Sequence, residues 1–270
     1  MRFAIYYKNM ATLNPQAIDG ATAKKLRRLN IYAAILHFGS AIAILSLTNS
    51  FSLPIIANYI QGDPGTAGYQ TIVLGHDPVG LMCALFLFLS AVAHLWIASN
   101  KGFGIYLKDL SYNRNIARWV EYSISSSIMI VLIAQLSSIR DIITLAALFF
   151  TNVSMILFGW LQEKYEAPGG GMLPFWFGCI AGIVPWAAIV FLLIAPGETS
   201  GAHAPGFVYG IIVTLFIFFN CFALNQYFQY RQVGKWKDYL YGERVYITLS
   251  FVAKSALAWQ IFAGALAQSH

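Results

Sequence analysis

The sequence predicts an all-α membrane protein, a bundle of seven transmembrane helices, on three observations. The 270 residues are 58% hydrophobic and only 10% charged, with a mean hydropathy of +0.62, whereas about a quarter of a soluble domain is charged. The apolar residues gather into seven runs of roughly 20, each about long enough to cross a hydrocarbon core about 30 Å thick. None of the runs alternates polar with apolar residues as barrel strands do, so helices are the spanning solution that satisfies the backbone in lipid.

Taken in order, the runs centre on ILHFGSAIAIL, LMCALFLFLSAVAHLWI, VEYSISSSIMIVLIAQL, IITLAALFFTNVSMILFGWL, FWFGCIAGIVPWAAIVFLLI, FVYGIIVTLFIFFNCFAL and VYITLSFVAKSALAWQIFAGAL. Before the first lies a cytoplasmic N-terminal segment, residues 1–30, with Arg2, Lys8, Lys24, Lys25, Arg27 and Arg28. It has neither the length nor the pattern of a cleaved signal peptide and reads as an amphipathic lead-in on the membrane surface. Residues 31–270 form one seven-helix domain, since no repeat, low-complexity tract or linker divides them. Gly169 to Gly171 is a short helix connection. Cys83, Cys179 and Cys221 all lie in apolar runs without a paired spacing, which points to small core residues and to no metal site.

Orientation follows from the basic residues. The N-terminal segment is basic, the second connection after it carries Lys101, Lys108, Arg114 and Arg118, the fourth Lys164, and the sixth Arg231, Lys235, Lys237 and Arg244. The other side has Arg140 alone, although its first loop is long and contains Asp63 and Asp77. The N-terminus is therefore expected in the cytoplasm and the C-terminus outside the cell. The net charge of +6 is a topology signal and implies no nucleic-acid partner.

Ionisable groups within spans carry functional weight because they are costly there. They are His37 in the first run, His94 in the second, Glu121 at the start of the third and Lys254 in the seventh. Lys254 lies ten residues beyond Arg244, so it sits roughly 15 Å deep, near the midplane. An amine there must be neutralised, paired or chemically modified. One reading is a structural Lys254–Glu121 pair that holds two helices together. The other is a lysine Schiff base to an aldehyde cofactor, with Glu121 as counter-ion. The depth of Glu121 is a constraint on both. A helix starting at Arg118 would leave it only about 5 Å deep, so the third helix is expected to start nearer Tyr112 or Arg114, with Arg118 drawn inside the bundle.

At these residues the chain resembles the microbial retinal proteins and, within them, the heliorhodopsins. RWVEYS, Arg118 to Ser123, is similar to the Arg-x-x-carboxylate motif of the counter-ion, and SFVAKSALAW to the retinal-lysine helix. His37 and His94 stand where heliorhodopsins carry histidines, and the resemblance extends over all seven runs with the same inverted topology. It implies that Lys254 binds all-trans retinal as a protonated Schiff base, with Glu121 as counter-ion and Ser250 as its hydrogen-bonding neighbour. His37 and His94, with Ser90 and Tyr122, would line a polar cavity beside it. Asn152, Met155, Trp186, Phe219, Gln226 and Trp259 would form the pocket walls. A homodimer is also implied.

Polarity is one-sided. His37, His94, Arg118, Glu121 and Ser250 all fall toward the basic side, while outer carboxylates such as Asp141 and Glu198 appear only in loops or at helix ends. A pump needs a relay to both surfaces. The expected function is therefore a light receptor in the cell membrane, without enzymatic activity or ion transport, that shuttles a proton internally and signals to a cytoplasmic partner. A light-driven ion transporter and a colourless seven-helix transporter are the alternatives.

Overall fold

The computed structural model describes residues 15–267 apart from 64, 66, 67 and 202, with the backbone alone for 196–200 and 265–267. Within it, seven helices are long and apolar enough to span a membrane. They are α1 (Gly20–Leu47), α2 (Val79–Ala98), α4 (Ile116–Leu136), α5 (Ile142–Tyr165), α6 (Leu173–Ser200), α7 (Gly206–Tyr230) and α8 (Tyr239–Ala267). An eighth, α3 (Asn100–Ser111), is a short amphipathic helix inserted between α2 and α4. Residues 1–14 of the expected surface segment lie outside the described residues. The rest of that segment is less separate than expected, because α1 already begins at Gly20 and runs unbroken into the bundle.

Starts of helices coincide with side chains that satisfy otherwise unpaired backbone N–H groups. The Asp19 carboxylate accepts from Thr22 N at 2.9 Å, Ser99 Oγ from Gly102 N at 3.1 Å, Asn115 Oδ1 from Arg118 N at 3.0 Å, and Asp141 Oδ1 from Ile143 N and Thr144 N at 3.1 and 3.0 Å. Asn115 corrects the expected start of the third span: the helix begins at Ile116, not near Tyr112 or Arg114. Asn115 is itself buried, so α4 starts inside the protein.

The long first loop departs from an all-α fold. It forms an antiparallel hairpin of β1 (Ser52–Ile60) and β2 (Tyr69–Pro78). Gln135 Nε2 donates to Asp77 Oδ2 at 2.7 Å and Ile56 N to Arg140 O at 2.9 Å, so the hairpin is fastened to the start and end of neighbouring spans. Tyr59, Ile60, Tyr69, Val73 and Leu74 on it are exposed.

The core divides by chemistry. On the hairpin side, Phe86, Leu87, Met129, Ile130, Leu132, Ile133, Ile189, Leu215, Leu257 and Ile261 pack into one apolar cluster. On the side where α1 begins, buried polar groups accumulate: Asn30, His94, Asn115, Arg118, Glu163, Gln226, Gln229 and Glu243. Outward faces carry exposed Tyr32, Ile35, Leu95, Phe150, Ile180 and Phe191, as expected of helices solvated by lipid.

Candidate functional site

Lys254 is 3% exposed, and its ammonium group spends its donors across the bundle. Nζ donates to Glu121 Oε1 at 2.6 Å and to Ser90 Oγ at 2.7 Å, and it stands 4.9 Å from the Tyr122 ring centre. Ser90 Oγ in turn donates to Glu121 Oε1 at 2.6 Å. Three helices, α2, α4 and α8, thus meet at one ion pair. A buried pair of this kind is fixed by its extra hydrogen bonds, which offset part of the desolvation of both charges.

Ser250 lies on the same helix face as Lys254, one turn away, yet its hydroxyl makes no hydrogen bond to a described group. The amine instead donates to Ser90, which faces it from α2. His37 and His94 stack with ring centres 5.8 Å apart, and His94 Nδ1 is 2.8 Å from Asn30 Oδ1. The Asn30 amide nitrogen donates to Leu26 O, so its oxygen accepts from His94 and Nδ1 carries the proton.

Two cavities adjoin this centre. One, of about 310 Å³, lies on the side where α1 begins and is lined by Asn30, His94, Asn115, Arg118, Glu121, Tyr122 and Glu243, among others. His94 and Tyr122 are among its lining residues, and His37 and Ser90 are not. The second, of about 830 Å³, opens between α4, α5, α6, α7 and α8. Lys254, Trp119, Tyr122, Met155, Phe175, Phe219, Phe222 and Gln226 are on its walls.

The remaining wall residues are placed differently. Trp186 is buried behind Phe219, ring to ring at 5.5 Å. Asn152 stands one layer out and donates to Ser126 Oγ and Ser127 Oγ at 2.9 and 3.0 Å. Trp259 is 38% exposed and packs on Phe262, so it is not a wall; it lies five residues past Lys254, which at about 100° per residue turns it to the other side of α8.

Arg118 is drawn inside, and it reveals two carboxylates that the sequence reading missed. Glu121 is not the one intramembrane acid: Glu163 and Glu243 are also buried, and the Arg118 guanidinium bridges both. Glu163 further accepts from Asn115 N at 3.0 Å, Trp119 Nε1 at 2.5 Å and Tyr239 OH at 2.9 Å. Glu243 further accepts from Asn115 Nδ2 at 2.8 Å and Tyr106 OH at 3.0 Å. Burial, helped by the Glu243 charge, pushes the Tyr106 hydroxyl well above the ordinary tyrosine range, which keeps it a donor. Both acids stand beside a cation in sequence, Lys164 and Arg244, and so looked like membrane boundaries. The signal that could have found them is helical phase: Asn152, Ile156, Gly159 and Glu163, like Glu243, Ile247, Ser250 and Lys254, form i, i+4, i+7, i+11 stripes on one face.

Seven spans closed around a buried lysine–carboxylate pair beside an apolar cavity have the architecture of the microbial rhodopsins, and solved structures agree. The cyanorhodopsin of the cyanobacterium Tolypothrix sp. NIES-4075 superposes with a TM-score of 0.62 at 12% identity, covering 93% of this chain and 99% of that one. The rhodopsin of Exiguobacterium sibiricum gives 0.61 at 13%, covering 92% and 98%. At these identities the likeness establishes the fold. A comparison with curated protein sequences gives no match. The heliorhodopsin family model matches residues 26–266, and the chain belongs to the heliorhodopsin family. It is a multi-pass integral membrane protein of retinal photoreceptor type.

The residues present fit a retinal. The larger cavity reaches Lys254 from between five of the spans. Its aromatic, Met and Gly lining suits a polyene, and the one amine on its wall is Lys254. Gly159 keeps that space open for the Trp119 ring, since a Cβ there would come within 2.4 Å of Cζ3.

Proposed function

We propose that this protein is a light receptor that holds all-trans retinal on Lys254, uses Glu121 as counter-ion and moves a proton internally without pumping ions. The observation that carries this reading is a single buried amine on the wall of an apolar cavity, paired with one carboxylate at 2.6 Å. Retinal, when bound, supplies a conjugated chain that absorbs visible light and changes shape.

The chain's own groups do the rest. Glu121 keeps a positive charge on the Lys254 nitrogen by direct attraction in a poorly screened interior. Ser90 holds the Glu121 oxygen in place. Trp119, Tyr122, Met155, Phe219 and Gln226 fix the space beside the amine and exclude water from it. Polar groups that can take up a proton lie on one side, around His94 and Arg118, while the hairpin side offers the apolar cluster around Ile133 and Leu257. That asymmetry supports cycling of a proton within one half of the bundle, since transport needs a path to both surfaces.

The basic connections support a cytoplasmic N-terminus and an extracellular C-terminus. A homodimer and a cytoplasmic signalling partner belong to the same proposal; the exposed aromatic hairpin face supports the former.

The test is a visible spectrum of the protein expressed with all-trans retinal. A coloured protein that bleaches with hydroxylamine in the light, and a Lys254→Ala variant without visible absorption, are expected. A colourless wild type would favour the structural lysine–carboxylate pair of a seven-helix transporter.

A further inference from the structure

The cluster around Arg118 has a charge imbalance that the counter-ion pair does not explain. Lys254 and Glu121 balance each other. One guanidinium meets the two carboxylates of Glu163 and Glu243, so with both ionised one negative charge is left over inside the bundle. Neutral donors, Asn115, Trp119, Tyr106 and Tyr239, hold that charge in place.

The two acids are not equivalent. Glu163 accepts four hydrogen bonds spread over both oxygens and does not line the 310 Å³ cavity. Glu243 lines that cavity together with Glu121, and while its Oε1 accepts from Asn115 and Tyr106, its Oε2 accepts from Arg118 alone. Glu243 Oε2 therefore keeps a lone pair that no described donor occupies, and Glu243 borders a polar space roomy enough for water. Glu243 also stands eleven residues before Lys254, which is about 16.5 Å along α8 and within about 20° of the same face.

We propose that Glu243 is the internal proton acceptor of the photoreceptor. This rests on the reading of Lys254 as the chromophore lysine. The N–H bond at Lys254 Nζ breaks, the nitrogen keeps the electron pair, and the proton travels through the polar cavity to form an O–H bond at Glu243 Oε2. Nitrogen goes from positive to neutral and the carboxylate from negative to neutral, so the surplus charge of the Arg118 cluster is cancelled. Glu121 is also on the path, but a proton on it would leave the surplus charge of the Arg118 cluster in place; the remaining basic group is His94. A proton there would create a new buried cation, whereas at Glu243 it removes an existing anion. Protonation also weakens Glu243 as acceptor for Tyr106, which belongs to the surface helix α3, and so carries the event to the face where α1 begins.

The experiment is infrared difference spectroscopy, light minus dark, on the full-length protein with all-trans retinal. A protonated-carboxyl C=O band is expected in the light state, absent in Glu243→Gln, shifted in frequency in Glu243→Asp, and retained in Glu163→Gln. The Asp variant keeps the charge, so it reports even where the Gln variant does not fold. In the retinal-free protein at neutral pH, Glu243→Gln is expected to remove a carboxylate band. Loss of a C=O band there instead means that the acceptor is already full; that result overturns the proposal while a coloured wild type preserves the retinal reading. A coloured Glu243→Gln variant that retains the light-induced C=O band, or a wild type whose light state shows imidazolium bands only, also overturns it.

Discussion

At the scale of the residue, the site is decided by which acid each cation meets. Glu121 serves Lys254 and leaves Arg118 to Glu163 and Glu243, so the Arg-x-x-carboxylate pair that stands one turn apart in sequence is split between two charge systems. Replacing Glu121 with Gln removes the charge that stabilises a cationic Lys254 nitrogen in the dark. A red-shifted visible maximum is expected, and an unchanged maximum would count against Glu121 as counter-ion. Arg118→Ala leaves two buried carboxylates without their cation. Breaking a buried pair from one side costs about 3–5 kcal/mol, so thermal unfolding of the purified variant should start many degrees below that of the wild type. A variant that melts with the wild type would mean the cluster is neutral without Arg118. Of these residues, Lys254 and Glu121 were legible because each is an ion placed in an apolar run. Glu163 and Glu243 were not, because neighbouring Lys164 and Arg244 made them look solvated, while each side chain is in fact turned inward.

Elements are set by their ends as much as by their apolar runs. Asp141 starts α5 by accepting from Ile143 and Thr144, and the same carboxylate accepts from Asn58 N at 3.3 Å, so one side chain ties a span to the hairpin. The Thr144 backbone N–H, first among these donors, holds the Asp141 carboxyl below its ordinary range. A carboxylate with a depressed folded pKa contributes stability that is complete above its unfolded value, about 3.9, and is lost as pH falls through the folded value. Asp141→Ala should therefore cost about 1 kcal/mol at neutral pH, with the difference from wild type constant from about pH 5 to 8 and closing in stronger acid. A penalty that grew on acidification would contradict the cap. Element boundaries also show where pattern reading failed. The α3 helix follows α2 after one capping residue, Ser99, and its Gly102 backbone comes so close to Trp96 O that a Cβ would sit 2.0 Å away. Such a sharp corner leaves no mark in hydropathy, and neither does the hairpin, whose strands SLPIIANYI and YQTIVLGHDP show no polar–apolar alternation and lie beside much stronger apolar runs.

For the whole molecule, the arrangement is a bundle with one polar half and one apolar half. Proteoliposomes carrying the coloured protein should show no sustained pH change under continuous light, since among the described residues the hairpin half is filled by the apolar cluster of Leu87, Ile133, Leu215 and Leu257. A sustained, light-dependent change would move the protein to the ion transporters. The number of spans and their membrane setting were determined by the sequence alone, because hydrophobic length is a local property of the chain. The tertiary structure decided that Ser90 and not Ser250 meets the lysine, that Trp259 faces outward, and that Arg118 gathers two hidden acids from α5 and α8. Those outcomes depend on the rotation and register of one helix against another, and packing sets both only after the spans have formed.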